Sequence, residues 1–314
     1  MKDLAINFPL DKFEKLIIDI GWESLDDWFN FWKNQNNILS IDQYWNNKVN
    51  DDWIWGLALP LLSQAYKFKN NYSHRKIIGI SALPGTGKTT LGKWLEAISL
   101  KLNFKIAVIS IDDFYLPSNE MELAIKDNPW NVSRGFPGSH SIKLMHEKLL
   151  NWKINGELNV PVFDKSLRNG LGDRSHWRLD NPDLLIIEGW FLGIEPLTSD
   201  VNYKIINCAE LSSHESFYIS KIQNNLKKYS DIWNLIDNIW HLKPLKFEYM
   251  NMWKTTQEKE MFLQKGKALK DEKLSNFLRM LNVSIPHECF DDLNSYALLL
   301  IDQERNLVDA GLKL

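Results

Sequence analysis

The stretch "SALPGTGKTT", Ser81 to Thr90, decides how this chain is read. Gly87, Lys88 and Thr89 close the pattern G-x-x-x-x-G-K-[ST], a glycine-rich turn between strand and helix that wraps phosphates, although Ala82 stands where the first glycine is usual. In such a loop the backbone N–H groups and the following helix N-terminus surround an anion, and Gly85 and Gly87 supply the freedom for close approach. Lys88 is expected to reach the β- and γ-phosphates of ATP, and the Thr89 hydroxyl to bind the magnesium that bridges them. Pro84, Gly85, Thr86, Gly87, Lys88, Thr89 and Thr90 are the expected nucleotide contacts.

Working outward, "KIIGIS" is a short β-branched run before the turn, and Thr89 to Leu102 reads as an amphipathic helix. "KIAVIS", ending at Ser110, supplies the second strand of a βαβ unit. "DLLIIEGW" is a buried-type strand ending in Glu188 and Gly189, "YKIINC" at Tyr203 to Cys208 reads as another, and "YALLLI" is a late strand before a polar turn around Asp302. Residues 212–295 read as mainly helical. These patterns predict an α/β fold of the P-loop NTPase type, with a mostly parallel sheet covered by helices on both faces. Residues 1–72 carry Trp22, Trp28, Trp32, Trp45, Trp53 and Trp55 at near-helical spacing and read as a helical N-terminal extension whose aromatics are core, without assigned chemistry; residues 73–314 form the nucleotide-binding domain.

At 314 residues and 44% hydrophobic content, the chain can bury a large core. A formal net charge of −3 leaves no general attraction for nucleic acid or anionic membrane, and neither is expected as a partner. No apolar run reaches the ~20 residues of a membrane helix. Two cysteines, Cys208 and Cys289, lack metal-type spacing and suit a buried, reduced, cytoplasmic setting.

Phosphoryl transfer to an alcohol needs a group that accepts the hydroxyl proton. "IDDFY" places Asp112 and Asp113 after the second strand, on the sheet edge that carries the phosphate loop. Asp112 is the candidate base and Asp113 the candidate turn cap. A carboxylate near the metal is expected at the end of a neighbouring strand; Glu188 fits, with Asp113 and Asp183 as weaker alternatives. "SRGFPGSHS" at residues 133–141 combines a fixed turn with Arg134, His140 and a helix start at Ser139 or Ser141, and resembles an anion pocket. "PVFDKSLRNGLGDRSHWR" gathers Lys165, Arg168, Arg174 and Arg178 around Gly170 and Gly172, cations suited to a carboxylate or to moving phosphate charge.

The segments "GISALPGTGKTTL", "SIDDFYLP", "SRGFPGSHS", "VPVFDKSLRNGLGDR", "IIEGWFLG" and "IDQERN", in this order over about residues 76–308, resemble the plant-type D-glycerate 3-kinases, relatives of phosphoribulokinase, uridine kinase and pantothenate kinase. The resemblance implies a P-loop kinase that moves the γ-phosphate of ATP to the 3-hydroxyl of D-glycerate with magnesium. It matches Asp112 to the catalytic base, Glu188 to the acidic residue near the metal, and Arg134, Lys165 and Arg174 to basic positions that grip carboxylate or phosphates. The loop departs from the family at Leu83, Pro84, Gly85 and Thr86. Lys254 replaces an arginine usual after the tryptophan of "NMWKTTQEKEM", and that position is left outside the catalytic set. Two other readings stay open: a kinase of uridine, pantothenate or a sugar phosphate, and a nucleotide-gated binding protein that docks a partner through the tryptophan-rich extension.

Overall fold

The computed structural model describes residues 6–35, 51–71, 74–197, 205–207, 209–266, 268–269 and 271–313. Its strands are β1 (Ile77–Ala82), β2 (Ile106–Ser110), β3 (Leu158–Asp164), β4 (Asp173–Asp180), β5 (Leu184–Gly189), β6 (Ile205–Ile206), β7 (Ala209–Glu210), β8 (Asn238–Pro244), β9 (Ala297–Ile301) and β10 (Leu307–Leu312). Six of them form one sheet in the order β10-β9-β8-β1-β5-β2, parallel except for β10, which runs antiparallel to β9. Every residue of β1 is buried, and β5 is buried through Ile187 before Glu188 becomes partly exposed. That continuous apolar run is what a parallel strand covered on both faces requires.

One face is covered by the phosphate-loop helix, Lys88–Lys101, which buries Leu91, Trp94, Leu95 and Ile98, and by the N-terminal helices. The latter are Asp11–Asp19, Leu25–Asn34 and a helical run over 51–71 that contains a π segment at Ile54–Ala58. Their apolar side chains join Ile78, Ile80, Ile186, Leu242 and Leu299 of the sheet in one cluster. The indole N–H groups of Trp28 and Trp32 both donate to Ser63 Oγ at 2.8 Å, and Trp240 on β8 donates to Gln64 Oε1 at 2.8 Å. Buried donors without partners would each cost about 1–3 kcal/mol, so these tryptophans are core residues with their polar ends satisfied. Trp45 lies outside the described residues. The other face is covered by the helices Ile142–Asn155 and Ser213–Leu226.

Two strand expectations are corrected. The region read as mainly helical contains β8, which lies beside β1 in the middle of the sheet. Of "YKIINC", the described Ile205–Ile206 pairs antiparallel with Ala209–Glu210 in a separate two-stranded ribbon and not with the parallel sheet. The basic segment at 165–178 is the turn and second strand of a hairpin, β3 with β4, beside the main sheet. Cys289 is buried, and burial pushes its thiol up to about 12; Cys208 lies outside the described residues. Among the described residues no helix is long and apolar enough to cross a membrane.

Candidate active site

In parallel register Ile80 of β1 and Ser110 of β2 both face Glu188 of β5, so the chain segments leaving β1, β2 and β5 emerge side by side. They open onto a cleft of about 790 Å³. Pro84, Gly85, Thr86, Gly87, Lys88, Thr89 and Thr90 all line it, together with Asp112, Lys165 and Glu188. Ala82 is the last residue of β1, opposite Leu242 and without a positive φ, so this position needs no left-handed freedom and alanine serves as well as glycine. Gly85 and Gly87 do need it, with φ of +81° and +102°. Lys88 Nζ donates to the carbonyls of Ala82 at 2.6 Å and Leu83 at 3.1 Å. Burial lowers its pKa, against the pull of Glu188 and Asp112.

Beyond β2 the chain makes a 3-10 turn, Ile111–Phe114. Ser110 Oγ accepts from Asp112 N, and Asp113 Oδ2 accepts from Ser110 N at 3.0 Å; Asp113 Oδ1 takes Phe163 N at 3.3 Å. This capping box turns Asp113 onto backbone and leaves Asp112 facing the cleft. Lys165 Nζ, from the β3–β4 turn, meets Asp112 Oδ2 at 2.6 Å. Burial opposes the charge on Asp112, but Lys165 and His140 more than offset it and hold the carboxyl well below the usual range. Burial also opposes the Lys165 ammonium, and the same carboxylate more than offsets that and raises its pKa. Glu188 goes the other way: burial lifts it, against Lys88.

Several expected residues are elsewhere. Asp183 sits at the start of β5, on the opposite rim of the sheet, where its carboxylate accepts from Lys105 N at 2.8 Å. Arg178 pairs with Glu96 and Asp180, and Arg168 with Glu122, both outside the cleft lining. Arg134 donates to Ser133 Oγ and to the carbonyls of Gly170 and Leu171, while Arg174 Nε donates to Tyr115 O at 3.1 Å. Neither arginine is among the side chains lining the cleft; both stand behind its wall. Ser141 is the N-cap of the helix Ile142–Asn155.

Other cleft residues were not assigned from sequence. Lys254 lines it from the helix Tyr249–Lys265, its Nζ 2.5 Å from Glu258 Oε1. Burial lowers its pKa, against Glu258. Glu258 Oε2 in turn accepts from Leu269 N at 2.8 Å, which ties that helix to the following segment. Arg305 and Asn306, in the β9–β10 turn, line the cleft as well, and Arg305 Nε donates to Gly85 O at 2.9 Å. The turn is held by two indoles: Trp53 Nε1 donates to Arg305 O and Trp253 Nε1 to Gln303 O at 2.7 Å. Lys254 and the turn segment "IDQERN" carried a sequence signal without a role; Trp53 gave only a helical-core signal.

Among the described residues no group of three or more His, Cys, Asp or Glu could hold a metal by itself. The Thr89 hydroxyl and the Glu188 carboxylate share the cleft with the phosphate loop. That donor set fits magnesium, which keeps several waters and takes its remaining oxygens from phosphates.

A phosphate-gripping strand, loop and helix with a carboxylate alongside, at the C-terminal edge of a parallel sheet, define a nucleotide-dependent phosphotransferase of the P-loop class. No protein-family model matches the chain. It is 31% identical over 214 residues to an uncharacterized kinase of Schizosaccharomyces pombe, covering 64% of this chain and 76% of that protein. It is 32% identical over 215 residues to the chloroplastic D-glycerate 3-kinase of Arabidopsis thaliana, spanning only 45% of that longer protein. The fold is similar to that of a D-glycerate 3-kinase from Cryptococcus neoformans, with a TM-score of 0.67 at 24% identity, over 82% of this chain and 97% of the other. The chain belongs to the family of P-loop kinases that contains the Schizosaccharomyces and Arabidopsis proteins. It is an ATP-using kinase.

Proposed function

We propose that the kinase transfers the γ-phosphate of ATP to the 3-hydroxyl of D-glycerate, giving 3-phosphoglycerate and ADP. The observation that carries this reading is the Asp112–Lys165 pair at 2.6 Å beside the phosphate loop. It sets a proton acceptor and a carboxylate-binding cation at one point, the two groups a small hydroxy acid needs. The name of the Arabidopsis relative agrees with that acceptor. A neutral nucleoside would offer Lys165 no carboxylate to draw it away from Asp112, which would stay paired and unable to take the hydroxyl proton.

In this reading the loop from Pro84 to Thr90 wraps the triphosphate, and Lys88 leaves its carbonyl partners for the β- and γ-oxygens. Thr89 and Glu188 would hold magnesium, which would offset negative charge on the phosphates. Lys165 takes the acceptor's carboxylate, and Asp112 accepts the hydroxyl proton as the new bond to phosphorus forms. Its depressed pKa keeps it ionised and oriented, and departure of Lys165 toward the acceptor frees it to act as a base. Arg134 and Arg174 contribute positive field from behind the wall and shape the turn that carries Lys165. Lys254, across the cleft, adds a further ammonium toward the transferring group.

The test is ADP release with D-glycerate, uridine, pantothenate and a sugar phosphate as acceptors, and with none. Saturation by D-glycerate alone is expected; saturation by another acceptor, or hydrolysis that needs no acceptor, overturns the assignment. Lys88→Ala and Asp112→Asn each abolish turnover, and only the second retains ATP affinity. An active Asp112→Asn enzyme removes that residue from the role of base.

A further inference from the structure

His140 lies behind Asp112 with its imidazole wholly buried, stacked on Tyr115 at 4.5 Å between ring centroids and 21° between planes, and met edge-on by Phe191 at 5.6 Å. Its two nitrogens have different surroundings. Nδ1 is 2.9 Å from the Tyr229 hydroxyl. Nε2 has no hydrogen-bond partner among the described residues and lies 3.9 Å from Asp112 Oδ1. The Tyr229 hydroxyl also accepts from Gly138 N at 3.1 Å. We infer that His140 is a positioning residue for phosphoryl transfer, held by Tyr229 as the neutral tautomer protonated on Nε2, so that Nε2–H steadies the Asp112 carboxylate.

The tautomer follows from counting donors. A phenol has one O–H to donate, and Gly138 N–H already fills an acceptor site on Tyr229. The phenolic O–H therefore donates to Nδ1 of His140, which must accept through its lone pair, and the ring's own proton lies on Nε2. The opposite tautomer leaves a buried phenol proton without an acceptor and turns a lone pair toward an anion, two losses at once. Burial keeps the phenol protonated by raising its pKa. Burial lowers the imidazole pKa as well, opposed by Asp112 and reinforced by Lys165, and the rings of Tyr115, Phe191 and Tyr229 complete the box around it.

Asp112 is thus approached by Lys165 at Oδ2 and by His140 at Oδ1. A shift of less than an ångström closes the second contact to hydrogen-bond length. Two donors on different oxygens fix the plane of the carboxylate before the acceptor binds; once Lys165 turns to the acceptor, His140 alone holds it through Oδ1, and Oδ2 is open to the acceptor hydroxyl. The role of His140 rests on the kinase reading through Asp112; its tautomer does not.

The experiment joins ring-nitrogen NMR of His140 in the full chain with kinetics of four variants. The wild type is expected to carry its proton on Nε2, and Tyr229→Phe to lose that fixed preference. His140→Leu is expected to lower kcat about 10- to 100-fold, a part of what a general base supplies. The KM for ATP should stay unchanged, and His140→Gln, which restores an N–H near the Nε2 position, should recover most of the loss. His140→Asn, whose amide is too short to reach, should not. A wild-type ring protonated on Nδ1, or His140→Leu with wild-type kcat, overturns the inference. Should His140→Leu fail to fold, the kcat of His140→Gln against His140→Asn decides the role, and equal kcat in the two overturns it. A protein that binds ATP and phosphorylates no acceptor refutes the kinase reading and leaves the tautomer measurement intact.

Discussion

Alanine at position 85 tests whether the phosphate loop is shaped by its covering helix as well as by its own backbone. Gly85 has φ of +81°, and an added Cβ would lie 2.8 Å from both the carbonyl carbon and Cβ of Trp253. Left-handed backbone costs a residue with a Cβ about 1–2 kcal/mol. The contact falls on helix backbone, which has no rotamer to give way, and overpacking of this kind adds about 1–3 kcal/mol. Position 87 is the control, since φ is +102° but the nearest atom is Trp53 Cη2 at 4.0 Å, so only the backbone cost applies. At about 2 °C per kcal/mol for a protein of this size, Gly85→Ala should lower the melting temperature by about 4–10 °C and Gly87→Ala by about 2–4 °C. Thermal unfolding without nucleotide measures both. If Gly85→Ala melts at or above Gly87→Ala, the helix does not press on the loop and the account is wrong.

Asp237 accepts from Ile77 N at 2.8 Å and from Lys76 and Lys153 at 2.9 Å each, fastening the start of β1 far from the cleft. Asp237→Ala should cost about 2 kcal/mol in urea unfolding by removing the acceptor shared by Ile77 N–H and two ammonium groups, with the KM for ATP unchanged; unaltered stability would contradict it. Glu215 is opposed by burial, but Arg279, Ser212 and Trp130 more than offset this and lower its carboxyl from 4.5 to about 2. Because the folded-state pKa is the depressed one, its stabilisation is full above the ordinary value and is lost as pH falls toward the folded one. The urea midpoint should therefore drop from about pH 5 to about pH 3, and drop less in Glu215→Gln, whereas parallel pH slopes would sink the assignment.

The strands next to the loop were legible because they are buried on both faces, as "KIIGIS" and "DLLIIEGW" are, and each short apolar run ends at a glycine-bearing turn or a charged residue as a covered parallel strand does. β8 was not: "NIWHLKP" mixes His241 and Lys243 with apolar residues between helical stretches, and only its place beside β1 makes it a strand. Ile205–Ile206 has the apolar look of a sheet strand, yet it pairs only with Ala209–Glu210, in a two-residue ribbon apart from the main sheet. At the site, loop and aspartate positions follow from local sequence, since each leaves a strand within a few residues. Lys254 and Tyr229 reach it from helices and turns distant in the chain, and no local pattern encodes which face they present. Charge density misled as well: of four cations around Gly170, only Lys165 lines the cleft, because the hairpin aims the others at carboxylates and carbonyls elsewhere.

Trp53 belongs to the region that precedes β1, yet its indole holds Arg305, and Arg305 holds the carbonyl of Gly85. Two hydrogen bonds therefore connect the N-terminal helices to the nucleotide grip through a turn more than two hundred residues away in sequence. A shortened protein starting at the first strand would still contain every residue of the phosphate motif and would lack the brace that sets its curvature. The phosphate motif is thus held by residues far outside it, and domain swaps with related kinases must carry both ends of that brace together.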